Sequence, residues 1–154
     1  MLAGALVSLV LAAGAPAPTC RVTVASAATR PPRPVPRSFD YGNGKIAVAL
    51  DPPNGRLVAG RLPSGGSRAT IGPDGSIYAK VGWWRAGSAK PVVSGRLVGH
   101  PARRLHADVP NGYGSGFQAT GLTFPTTGCW RVTGSFGGAT IAFTVLVTKS
   151  PLGA

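Results

Sequence analysis

From Lys45 onward the chain is punctuated by tight-turn signals, and only short extended segments fit between them. Asp51-Pro52-Pro53-Asn54-Gly55, Pro63-Ser64-Gly65-Gly66, Pro73-Asp74-Gly75 and Pro110-Asn111-Gly112 each supply a preset proline φ or a glycine able to take positive φ. Between them run β-branched and aromatic residues, at a spacing of roughly 8–14 residues, which is the pattern of a sandwich. Strands are expected at Lys45–Leu50, Arg56–Leu62, Ala69–Gly72, Ser76–Trp84, Pro91–Leu97, Leu105–Val109, Phe117–Phe124, Cys129–Phe136 and Thr140–Thr148. No segment carries a sustained helical period with caps. The 23 glycines and 15 prolines and the absence of glutamate agree with an all-β chain, because helices lean on Glu, Lys, Leu and Ala.

Alternation assigns faces. In Ser76–Trp84, Ile77, Ala79, Val81 and Trp83 share one side, while Tyr78, Lys80 and Trp84 share the other. In the last strand Ile141, Phe143, Val145 and Val147 form an apolar side. Gly137-Gly138 is a two-residue hairpin signal that places Trp130 and Val132 on that same side. Trp83, Phe124, Trp130 and Phe143 are therefore the expected core anchors. Cys129 falls on the more polar side, where an inert, partly covered thiol is expected.

The N-terminal half of the organisation is different. Residues 2–13 are apolar or small without interruption, and the run breaks at Gly14-Ala15-Pro16-Ala17-Pro18. About a dozen such residues suit a secretory signal better than a bilayer span, which needs about 20. Ala25-Ser26-Ala27 offers an A-x-A cleavage pattern, so residues 1–27 are expected to be a signal peptide, although no basic residue precedes the apolar run. Cleavage there would remove Cys20; a Cys20–Cys129 bridge requires that the segment be retained. Ala17-Pro18-Thr19 is a poor lipobox, which disfavours a lipid anchor on Cys20. Residues 28–44 follow as a Pro/Arg-rich linker, with Thr29–Arg37 expected to run as extended polyproline outside any core. Residues 45–149 are the expected domain. The location implied is secreted or extracytoplasmic, free or held at the membrane, with no stable transmembrane span in the mature form.

Candidate chemistry is sparse. No Gly-x-Ser-x-Gly elbow and no phosphate-binding glycine loop is present, and Gly112–Gly116 is only a glycine-rich turn. Of the four aspartates, Asp51 and Asp74 are explained by their turns. His100, His106, Asp108 and Cys129 lack metal-site spacing, so no metal, cofactor or catalytic residue is expected. Two binding surfaces remain. Tyr78 and Trp84, with Lys80 and Arg85, could stack a sugar or another planar group. Alternatively the net charge of +12 could attract polyanions without sequence preference.

Residues 74–147 resemble a group of poorly characterised exported bacterial proteins with an immunoglobulin-like domain. The resemblance is carried by Gly75-Ser76-Ile77, Lys80-Val81-x-Trp83-Trp84-Arg85, Ser94-Gly95-Arg96-Leu97 and Gly112-Tyr113-Gly114-x-Gly116-Phe117-Gln118. Its most specific part is Phe124-Pro125-Thr126-x-Gly128-Cys129-Trp130-x-Val132-Thr133. The resemblance implies an immunoglobulin-like antiparallel sandwich and an envelope location, and no catalytic residue. Arg131 stands where members often carry an acid. Taken together, the expected role is a non-enzymatic extracytoplasmic binding or structural module of the bacterial cell envelope, with an unidentified envelope ligand or protein as partner.

Overall fold

The computed structural model describes residues 19–153. The apolar run 2–13 and the Gly14–Pro18 break lie outside the described residues. Among the described residues, eleven strands follow one 3₁₀ turn at Ala27–Thr29. They are β1 (Tyr41–Gly42), β2 (Ile46–Val48), β3 (Arg56–Ala59), β4 (Ala69–Ile71), β5 (Ile77–Arg85), β6 (Val92–Leu97), β7 (His100–Arg104), β8 (His106–Asp108), β9 (Gly116–Phe124), β10 (Gly128–Phe136) and β11 (Ala139–Lys149). One sheet has the order β1-β2-β5-β9-β8, with β4 also on β5; the other has the order β3-β11-β10-β6-β7. All pairings are antiparallel except β11 with β3. The two sheets pack face to face as an immunoglobulin-like sandwich.

All nine expected strands are present, with ends shifted by a few residues. Two more exist. Strand β1 is only a dipeptide, and β7 is His-Pro-Ala-Arg-Arg, exposed at every position and so without alternation to betray it.

The expected faces meet in the core. Ile77, Ala79 and Trp83 from the first sheet pack against Trp130, Val132, Ile141, Phe143, Val145 and Val147 from the second. Trp83 and Trp130 are fully buried. The Trp83 ring lies 6.0 Å from that of Phe143, and Phe124 meets Trp130 edge-on at 5.5 Å. Each buried indole has a partner for its N–H, as a buried tryptophan needs. Trp83 Nε1 donates to Thr120 Oγ1 at 3.0 Å, and Trp130 Nε1 donates to the Thr126 carbonyl at 3.1 Å. Gly134 sits directly under the Trp83 ring, where any Cβ would collide with it. At the hairpin, Gly137 and Gly138 take φ of +55° and +78°, the conformation a two-residue turn between twisted strands requires.

The segment before the domain departs from expectation. Residues 20–42 form a strap on the sandwich. The Thr23 amide donates to the Thr144 carbonyl, and the Thr23 hydroxyl accepts from the Thr144 amide at 2.9 Å. Pro31, Val35 and Phe39 are buried, the last two against Ala47 and Trp84 in a second small core. The polyproline stretch was expected to stay outside any core. Val35 of that stretch and Phe39 just beyond it instead find the ledge that the outward Trp84 offers, and burial of both outweighs the stretch's stiffness.

Cys129 is also corrected: it is not a free thiol. Cys20 and Cys129 are joined by a disulfide, with their Cα atoms 5.5 Å apart. Gly128 takes φ +136°, turning the chain into β10 so that Cys129 points outward to Cys20 and Trp130 inward. A Cβ on Gly128 would meet Leu97.

Candidate functional site

The proposed aromatic platform does not assemble from the residues expected. Tyr78 and Lys80 do lie on the outer side of β5, exposed. Trp84 shares that side but is only 9% exposed, because Val35 and Phe39 of the strap cover it. Arg85 is on the opposite side by parity and is buried. Its Nε donates to the Ala89 carbonyl at 2.7 Å, and its Nη atoms donate to the carbonyls of Ser88, Tyr113 and Gly114. One Nη also reaches Gln118 Oε1 at 3.1 Å, while Gln118 Nε2 donates to Pro110 and Ala119. Burial pulls the Arg85 pKa below the usual arginine value, and carbonyl oxygens take the place of water around the cation. Arg85 is thus a clamp on the loops around 86–90 and 110–117, with no atom left for a ligand.

Phe117, which sequence reasoning did not single out, stands exposed in Trp84's place. Its ring covers Gly82, and the Tyr78 ring covers Gly121. Tyr113 contacts Phe117 edge-on at 5.6 Å. The missed signal was the pairing of each aromatic with a glycine on the neighbouring strand, which becomes visible only with the β5–β9 register.

The opposite outer face carries the charge. Register places Arg96 directly across from Arg104 on one side and from Arg131 on the other. Three guanidinium side chains therefore stand in a row across β7, β6 and β10, and all three residues are exposed. Ser94 and Thr133, themselves directly paired, contribute hydroxyls beside the row and line the same shallow depression. Not one residue of the five strands of this sheet is acidic.

The four aspartates are engaged or placed elsewhere. Asp40 accepts from the Leu50 amide at 2.9 Å, and Asp51 pairs with Arg68. Asp74 accepts from the Ser76 hydroxyl and amide at 2.6 and 3.0 Å, and these bonds hold its carboxyl below the ordinary value. Asp108 lies on β8 in the first sheet, exposed, two residues from exposed His106. His100 lies on β7 in the other sheet, and no group of three or more metal-ligating side chains occurs among the described residues.

Like charges directly opposite on adjacent strands destabilise a sheet, by an amount comparable to the roughly 0.2–1 kcal/mol of a favourable pair. A triple row without a counter-charge is therefore a standing cost that a bound anion relieves. Guanidinium groups suit this task, since their fork donates two parallel N–H bonds to a phosphate, sulfate or carboxylate. No family model matches the chain, and no curated protein or solved structure is significantly similar to it.

Proposed function

We propose that the chain is a non-enzymatic extracytoplasmic module of the bacterial cell envelope that binds an anionic polymer on the outer face of its second sheet. The observation that carries this reading is the row Arg104–Arg96–Arg131 on a sheet with no carboxylate. Export is supported by the apolar N-terminal run and by the disulfide, which belongs to an oxidising compartment. The envelope setting follows from the resemblance centred on Phe124–Thr133.

Counterion release makes such binding steeply salt-dependent, with a slope of about −0.7 to −0.9 in log K against log salt per neutralised anion. The test is retention of the folded protein on immobilised heparin and linear polyphosphate from 50 to 300 mM salt. Retention should weaken by a decade or more across this range, and Arg96→Ala/Arg131→Ala should flatten the slope by about 1.4–1.8. Retention that ignores salt removes the reading.

The exposed Tyr78 and Phe117 rings favour a second reading, in which a neutral glycan stacks on the first sheet. Salt-insensitive glycan retention lost in Tyr78→Ala or Phe117→Ala would select it.

A further inference from the structure

The arginine row does not end at β10. Arg131 lines two depressions: one with Arg96 and Arg104, and a second with Arg30, Tyr41 and Thr140. We propose that the strap completes the anion site, so that a phosphate- or sulfate-bearing polymer runs across the strands from Arg104 over Arg96 and Arg131 onto Arg30. The track presupposes the polyanion reading above and adds to it a direction and a fourth cation that no strand provides.

Arg30 is held in place by local bonding. It follows the 3₁₀ turn Ala27–Thr29, which is closed by the Thr29 amide on the Ser26 carbonyl and by the Ser26 amide on Thr29 Oγ1 at 2.9 Å. Thr29 Oγ1 also donates to the Asp40 carbonyl, tying this turn to the stretch just before β1. The Tyr41 hydroxyl then donates to the Ala142 carbonyl of β11 at 2.8 Å, fixing the strap against the strand beside β10. Upstream, the disulfide attaches the strap two residues from Arg131, on the same outward side of β10. Arg30 itself is exposed, and its charge is unmatched by any carboxylate on the second sheet.

Arg37 supplies the internal control. It lies on the same strap and is also exposed, and it shares with Arg30 a separate depression on the strap itself, but it does not line the depression that Arg131 shares with Arg30. Loss of one contacting cation should flatten the salt slope by about 0.7–0.9, which is about sixfold weaker binding at 0.1 M salt. The experiment compares wild type, Arg30→Ala, Arg30→Lys and Arg37→Ala on polyphosphate and on heparin, with near-UV circular dichroism confirming the fold of each. The expected result is a loss of that size for Arg30→Ala, most of it restored in Arg30→Lys, and little change for Arg37→Ala. Loss on one polymer alone identifies the anion as phosphate or sulfate. Equal effects of Arg30→Ala and Arg37→Ala overturn the track while leaving diffuse charge binding intact. Absence of salt-dependent retention by wild type overturns both.

Discussion

Replacing both cysteines by serine is the sharpest test of how the chain is built. The bridge links positions 109 residues apart. Closing a loop of that length removes about 16 cal/mol/K of entropy from the unfolded ensemble, or about 5 kcal/mol at 25 °C. For a domain of this size each kcal/mol moves the melting temperature by about 2–4 °C, so Cys20→Ser/Cys129→Ser should melt about 10–20 °C lower. Reduction of the wild type should reproduce most of that shift. The assay is thermal unfolding by circular dichroism with and without reductant, with intact mass to count the two hydrogens gained. Three-dimensional closure is already provided in part by the Thr23–Thr144 bonds and the Val35 and Phe39 contacts, so the native fold should survive. A native protein that labels at Cys129 before reduction, or whose melting is indifferent to reductant, would refute the reasoning.

Arg85→Met should cost roughly 1–3 kcal/mol in urea unfolding, because the buried Gln118 Oε1 and the part-buried carbonyls of Ser88, Ala89, Tyr113 and Gly114 lose their donors. It should also raise hydrogen exchange selectively around 110–117. Gly134→Ala should destabilise by about 1–3 kcal/mol, since the added methyl meets the immobile Trp83 ring; a neutral result would mean that the core is loosely packed. Asp74, its pKa held low chiefly by the Ser76 hydroxyl, gives stability that is complete above the ordinary carboxylate range and lost as pH falls through its lowered value. In Ser76→Ala the Asp74 titration followed by NMR should move up toward the model-peptide position. N-terminal sequencing of the exported protein should find Cys20 still present; a start at Ala28 would separate the domain from its bridge.

What the sequence made legible was what alternation and turn chemistry encode locally. The inward side of β5, the apolar side of β11 and the Gly137-Gly138 turn follow from neighbours in the chain. So does the burial of Trp130 beside an outward Cys129. What stayed hidden depends on partners distant in sequence. Trp84 has the right parity for an exposed ring, and only the strap, some fifty residues upstream, covers it. Arg85 looked like a surface cation because a charge beside an outward tryptophan usually is one, but its own parity was inward and its carbonyl partners come from two loops. The row of Arg96, Arg104 and Arg131 needs two strand registers at once, one of them across the bulge between β6 and β7. The bridge needs Cys20 to remain in the chain, which an A-x-A pattern beyond it argued against.

The bridge also decides where the molecule resists being pulled. Tension applied upstream of Cys20 and at the C-terminus enters β10 through the S–S bond and leaves through β11. Residues 21–128, which include every other strand, lie in a closed loop off that path and remain slack. The load falls first on the β10–β11 hairpin, along nine directly opposed residue pairs, with the β3 and β6 ladders bracing its two strands from either side. Under force, then, the load path is confined to the two strands nearest the bridge and their immediate neighbours, and a reducing agent, by releasing residues 21–128 into that path, changes the extension at rupture far more than the shape at rest.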